Sequence, residues 1–229
     1  MNFLTARASE ISTALYASLA NYRYEVFVER LGWDLQTTPG FEQDQFDRED
    51  TVHVVARDDD GDIVGCGRLL PTNQPYLLGS VFPELLNGME APCSEQVWEL
   101  SRFAAMGVNP TNPLGRRHYM AERVLLEAVR FCATRGVTHL IAVSTPPVER
   151  LLQRAGVEVC RLGPPTIRQG QPVIAFVITV NARSIDALTQ FELAAAGQQE
   201  RPASARLCAS AISAAQAATA NAESLPALQ

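Results

Sequence analysis

The sequence predicts one α/β (α+β) domain, a mixed central β-sheet flanked by helices. Three observations carry this expectation. Short runs rich in β-branched and apolar residues alternate with stretches of helical periodicity. The length of 229 residues suits one domain with or without a tail. Hydrophobic residues make up 47%, enough for a substantial core. The domain is expected over residues 1–196. From 197 to 229 the composition turns to Ala, Gln and Ser, which predicts a partly disordered tail.

Ile11, Leu15, Leu19, Tyr22 and Val26 recur at spacings of three and four. They predict an amphipathic helix over residues 8–30, with Ser9 as N-cap and Gly32 as its stop. Residues 33–50 are rich in Gln, Asp, Thr and Gly and predict a long loop; Trp33, Phe41 and Phe46 argue that it packs onto the domain. Residues 51–57 and 63–70 form an expected hairpin around Asp58-Asp59-Asp60-Gly61-Asp62. There follow a short helix within 77–87, a strand over 97–105, and a long helix over 116–135 that Gly136 ends. A buried strand over 139–144, a proline-started helix over 147–155, strands over 156–162 and 173–180, and a helix over 184–195 complete the series.

Composition excludes several function classes. No apolar run approaches the roughly 20 residues of a membrane-spanning helix. The N-terminus shows no basic segment followed by an apolar one, so a soluble, cytoplasmic protein is expected. The five cysteines form no CxxC pair, and the three histidines lack metal-ligand spacing, so no metal is expected. All 19 basic residues are arginine. Residues 1–99 hold 6 Arg against 17 acids, residues 100–170 hold 10 against 4, and residues 171–229 hold 3 against 4. This split predicts either solvated helix surfaces, or an acidic half for a cationic ligand and a basic half for an anionic partner. Nucleic acid is a poor candidate for that partner, because the chain is acidic overall and its aromatics do not interleave with the arginines.

Four segments hold residues that folding alone does not require. Arg23 and Phe27 share a helix face that ends near Trp33; core packing beside a snorkelling arginine is one reading. Asp44 and Asp47 flank an aromatic in the long loop, either as a cation clamp or as a capping pair. Arg68 sits within an apolar strand, where an unpaired charge is costly, so a carboxylate partner is expected from the preceding loop. In the strand around Glu99, alternation places Glu99, Ser101 and Phe103 on one face and Trp98, Leu100 and Arg102 on the other. Glu99 is either half of a buried salt bridge or a general base tuned by burial.

Taken together and in this order, these segments resemble the LuxI-type acyl-homoserine lactone synthases (autoinducer synthases), whose fold is related to the GNAT acetyltransferases. The pattern comprises Arg23, Phe27 and Trp33, then Asp44 and Asp47, then Gly67-Arg68-Leu69, then Glu99-Leu100-Ser101-Arg102-Phe103. Phe82-Pro83-Glu84-Leu85-Leu86 and Val148-Glu149-Arg150, followed by Arg154-Ala155-Gly156, also match, and the resemblance covers about residues 1–195.

The resemblance implies a GNAT-like acyltransferase that transfers an acyl group from acyl carrier protein to the amine of S-adenosylmethionine, then closes the lactone and releases methylthioadenosine, a quorum-sensing signal synthesis. S-adenosylmethionine is then a substrate, and no cofactor is implied. Glu99, Ser101 and Arg102 are the implied catalytic group, with Glu99 as base and backbone amides near Arg102 and Phe103 as oxyanion donors. Arg23, Phe27, Trp33, Asp44, Asp47, Arg68 and Phe103 are implied to bind S-adenosylmethionine. Phe103, Ala142, Ser144 and Leu152 are implied to line the acyl pocket. Family members that prefer 3-oxo chains tend to carry threonine at the position of Ala142, so alanine favours an unsubstituted chain, a loss that Ser144 is placed to offset. Arg116, Arg117, Arg150, Arg154, Arg161 and Arg168 are candidates for docking the acidic carrier. A monomer is expected, with no membrane partner. Strand parity opposes placing both Glu99 and Arg102 at one site unless a β-bulge re-aims one of them, or Arg102 is a support. The rival of the same fold is an acyl-CoA-dependent N-acyltransferase; residues 106–115 lack its pyrophosphate-binding loop pattern. A non-catalytic acyl- or signal-binding protein is the alternative of another class.

Overall fold

A computed structural model describes residues 1–106, 120–168 and 170–199. The chain divides into Met1–Phe191 and Glu192–Gln229, and the sheet and site described below belong to the first unit. Of the tail expected from 197 onward, residues 197–199 are helical and the rest lies outside the described residues.

The first element is one the periodicity did not indicate. Strand β1 (Asn2–Arg7) precedes a 3-10 turn, Ala8–Glu10, in which the Glu10 carboxylate accepts the Arg7 amide. Helix α1 (Thr13–Arg23) therefore starts later than expected, with Ser12 rather than Ser9 accepting the Leu15 amide. The helix then widens into a π-helical stretch, Tyr24–Arg30, whose end is marked by the Leu31 amide bonding five residues back to Val26. Gly32, at φ 66°, ends it as expected.

Strands β2 (Val52–Arg57) and β3 (Ile63–Pro71) form the expected hairpin. Helix α2 (Leu77–Ser80) and a 3-10 turn, Pro83–Leu86, stand where one short helix was expected. The break falls just before Pro83, which disfavours helical backbone at the residue preceding it. Strand β4 (Val97–Ala104), helix α3 (Met120–Ala133), strand β5 (His139–Ser144) and helix α4 (Pro146–Arg154) follow. The chain continues with strands β6 (Val159–Arg161), β7 (Thr166–Arg168) and β8 (Gln171–Thr179), then helix α5 (Ala182–Gln199). No described helix is long and apolar enough to cross a membrane.

The sheet order is β1-β2-β3-β4-β5-β8-β6, with β7 also on β8. Among the described strands only β4 and β5 pair in parallel; the other pairs are antiparallel, which makes the sheet mixed. The β4–β5 pairing stops at Glu99–Ile141, although β4 runs on to Ala104 and β5 to Ser144. One sheet face packs against α3, α4 and α5 through Val124, Leu125, Ala128, Leu152 and Leu188. The other carries two apolar clusters, one with Leu19, Tyr22, Val26 and Phe27, the other with Phe46, Leu78, Leu85 and Leu86.

Helix α3 lies close on β3 because Gly65 has no side chain. A Cβ there would sit 2.8 Å from Val124 Cγ2 and 3.3 Å from the Ala104 carbonyl oxygen. Gly65→Ala should therefore lower stability by about 1–3 kcal/mol through overpacking, read as a lower urea midpoint at unchanged m-value.

Candidate active site

Three arginines from three elements converge under the sheet. Arg23 ends α1, Arg68 is central in β3, and Arg102 lies near the end of β4. All three are buried, as are Glu42 and Asp47; Asp44, at 17% side-chain exposure, is the carboxylate with an open edge. Removing one guanidinium from water costs several kcal/mol unless opposite charges and hydrogen bonds surround it. Here they do. Arg23 donates from Nε to Glu42 and from both terminal nitrogens to Asp47 at 2.8 Å. Arg68 clamps both oxygens of Asp44 at 2.6 and 3.1 Å, and reaches Asp47 at 3.1 Å. Arg102 donates to Glu42 at 2.8 Å and to Asp44 at 2.8 Å.

The loop that supplies these acids is folded by the same groups. Asp47 Oδ2 accepts the Asp44 amide at 2.9 Å, and Asp44 Oδ1 accepts the Phe46 amide at 2.8 Å. Phe46 anchors the turn in the core, and Thr51 Oγ1 donates to its carbonyl at 2.8 Å. The two aspartates are thus a turn-forming pair and an arginine-binding pair at once.

The conflict of strand parity is resolved by a bulge. Across β3 and β4 the partners are Arg68–Ser101 and Cys66–Ala104, so β4 carries one residue more than β3 over this interval. Arg102 takes φ 49°, a left-handed value uncommon outside glycine. As a result Ser101 and Arg102 both reach the network, Ser101 Oγ accepting from Arg68 Nε at 3.0 Å. Phe103 packs with the apolar cluster on the α3 face, opposite to the face that simple alternation predicts for it.

Glu99 is fully buried, and among the described residues it forms no salt bridge. Its two oxygens accept the Leu77 and Leu78 amides at 2.9 and 2.6 Å. Burial pushes its pKa above the ordinary carboxylate value, and the amides of Leu78 and Leu77 oppose that rise. Phe27 and Trp33 stack with centroids 4.7 Å apart, Phe27 buried and Trp33 39% exposed. The Arg102 guanidinium lies 5.8 Å and 6.0 Å from the two ring centres. Ala142 and Leu152 belong to the α3-face cluster against which Phe103 packs, and half-buried Ser144 ends β5 on the same side as Ala142. The residues expected to share chemistry thus fall on the two faces of the sheet beside the β4–β5 opening. Among the described residues, no group of His, Cys, Asp or Glu is placed to hold a metal.

The autoinducer synthase family model matches residues 8–188. The chain belongs to that family. The acyl-homoserine-lactone synthase of Acinetobacter nosocomialis is 45% identical over 183 residues, covering 79% of this chain and all of the relative. Among solved structures, TofI in a ternary complex with an inhibitor and MTA (methylthioadenosine) superposes with a TM-score of 0.73 at 43% identity, covering 82% of this chain and 97% of that one. BjaI, a CoA-dependent acyl-homoserine lactone synthase solved with SAM (S-adenosylmethionine) and isopentyl-CoA, gives a TM-score of 0.70 at 25% identity, covering 81% of this chain and 86% of that one. A Lactobacillus plantarum protein described as an N-acetyltransferase shares the fold at 18% identity and a TM-score of 0.54. The fold is GNAT-like, and the protein is an acyl-transferring autoinducer synthase.

Within this synthase, sequence reasoning missed Glu42, which links Arg23 to Arg102. Charge balance held the signal, since three arginines in apolar settings require a third acid beyond Asp44 and Asp47. His53 is also buried in the network, opposite Arg68 on β2, with Nε2 4.0 Å from Asp47 Oδ1 and the Tyr16 ring edge-on at 5.8 Å. Burial, reinforced by Arg23, pulls its pKa down to about 4. Burial opposes ionisation of Asp47, but the Arg23 hydrogen bonds hold its pKa well below the usual carboxylate range.

Both shifts are depressions, so they act in one direction. Above pH 6.5 His53 is neutral in folded and unfolded chains; below it the unfolded chain takes up a proton that the folded one resists. Stability should fall by about 3 kcal/mol between pH 6.5 and 4 on this account, with Asp47 adding to the loss at lower pH. His53→Gln should flatten that stretch of a stability–pH curve measured by urea denaturation.

Proposed function

We propose that this synthase acylates the amine of S-adenosylmethionine from an acyl carrier protein, and that the methionine carboxylate then displaces sulfur at the γ-carbon. The second step closes the lactone and expels methylthioadenosine. S-adenosylmethionine is a substrate, and the reaction uses no separate cofactor. The reading rests above all on the β4 bulge, which adds Arg102 to Glu99 and Ser101 on the face of the charge network and turns Phe103 toward Ala142 and Leu152 on the other.

In this reading the exposed part of Trp33, backed by Phe27, accepts the sulfonium, a cation–π contact worth about 0.5–2 kcal/mol. Asp44 supplies charge at the open edge of the network, and Asp47 acts through Arg23 and Arg68. One of the arginines meets the substrate carboxylate. Glu99, with its pKa raised by burial, takes the proton that the attacking amine loses. The peptide groups at Arg102 and Phe103 donate to the tetrahedral oxyanion, and the expelled carrier thiolate takes up a proton. The acyl chain lies along Phe103, Ala142, Ser144 and Leu152.

Two of the docking candidates are occupied elsewhere: Arg161 pairs with buried Glu149, and Arg168 with Glu84. Arg116 and Arg117 lie outside the described residues. Arg150 and Arg154 are exposed on α4 and flank Leu152, whose side chain is buried in the core, so the helix joins a cationic outer face to the acyl wall. That arrangement supports an anionic carrier docked on α4. The CoA dependence of BjaI gives the second reading, an acyl-CoA donor.

The deciding experiment incubates the full chain with S-adenosylmethionine and panels of acyl-carrier and acyl-CoA donors, following methylthioadenosine release and product mass. Release with carrier-bound donors supports the reading; release with CoA donors alone moves the donor to the second, and no release with any donor sinks it. Glu99→Gln should lower turnover by roughly 10²–10⁴-fold with an unchanged circular dichroism spectrum. The pair Arg150→Glu and Arg154→Glu should raise KM for carrier-bound donor and leave KM for S-adenosylmethionine alone, as initial rates will show.

A further inference from the structure

Cys66 lies across the ladder from the bulge, on β3, opposite Ala104. A bulge breaks the regular pairing of peptide groups at the extra residue, and buried peptide groups left without partners are costly. The Cys66 side chain fills that gap. Its thiol donates to the Arg102 carbonyl oxygen at 3.1 Å. The side chain thus reaches across the ladder to the bulged peptide itself. The thiol is buried among Val55, Phe27 and Ala104, on the network face of the sheet.

We propose that Cys66 is a positioning residue whose thiol holds the bulged Arg102 peptide in its left-handed conformation, and so holds the Arg102 guanidinium on Glu42 and Asp44. A regular β4 would carry the Arg102 side chain to the α3 face, into an apolar cluster and away from Glu42 and Asp44. A left-handed non-glycine residue persists only where its surroundings over-determine it. Two contacts do so here, the ion pairs at the tip of the side chain and the sulfur at the backbone. Burial pushes the thiol pKa up to about 12, so it remains a donor throughout the neutral range. The bland alternative is a small apolar filler. It predicts that size alone matters at this position.

The test compares Cys66→Ala, which removes the donor, with Cys66→Ser, which keeps one of similar size. Cys66→Ala should raise KM for S-adenosylmethionine about tenfold with donor KM unchanged, and Cys66→Ser should stay within about twofold of the parent. In an Arg102→Ala background, Cys66→Ala should have no further effect. Equal behaviour of the Ala and Ser variants, or additivity with Arg102→Ala, overturns the proposal. Because the kinetics rest on the reading proposed above, amide hydrogen exchange gives an independent arm: Cys66→Ala should speed exchange in residues 97–104 and not in β5. A uniform increase, or none, overturns the role of Cys66 even if the parent enzyme makes its product. A parent that releases no methylthioadenosine defeats the function reading and leaves the exchange result standing. If the Ala variant does not fold, Cys66→Val takes its place as the variant without a donor.

Discussion

Three guanidinium groups share one buried space beneath β2, β3 and β4, and most of what surrounds them answers that fact. Each carboxylate touches two arginines: Glu42 joins Arg23 to Arg102, Asp44 joins Arg68 to Arg102, and Asp47 joins Arg23 to Arg68. The six groups close a ring in which formal charges of +3 and −3 cancel. A ring of this kind has a strong cooperative character, because loss of any member strands two opposite charges away from water. It also explains why the long segment between the π-helical stretch and β2 is ordered without regular structure: its acids have fixed addresses. The absence of lysine suits the same need, since a guanidinium keeps its charge when buried and offers the forked donors that paired carboxylates accept.

The ring also sets what each strand must deliver to it. β2 contributes His53, kept neutral beside it, and β3 contributes Arg68 from the opposing register position. β4 has to deliver two neighbouring residues, Ser101 and Arg102, to one face, which a regular strand does not do. The bulge meets that demand at the cost of a left-handed backbone, and its location next to the end of the β4–β5 pairing places the irregular peptide groups beside the opening between these strands.

Much of this was legible from residues alone, and the division follows physics. The hairpin was legible from its turn residues, and β4, β5 and the helix over α3 from apolar runs bounded by polar residues or glycine. The need of Arg68 for a loop carboxylate was legible too, because an unpaired charge in an apolar strand has few remedies. Glu42 stayed hidden because it stands in a run of acids where solvent exposure is the ordinary reading; only the sum of buried charges distinguishes it. Edge strand β1 carries little pattern, and β7 has only three residues. The π-helical stretch keeps an apolar face like that of an α-helix, so periodicity does not reveal its extra width. The parity of Phe103 came out inverted because a single inserted residue reverses every side chain after it.

That inversion places two kinds of residue back to back. The charged ring occupies one side of the sheet, and the apolar wall of Phe103, Ala142 and Leu152 occupies the other. Changes of volume on the wall meet other apolar side chains, whereas changes in the ring meet buried charge. Drift in sequence is therefore tolerated very unequally on the two sides. A lineage of such chains can alter the volume of the apolar side by single steps while the opposite side, held by its closed set of ion pairs, stays fixed.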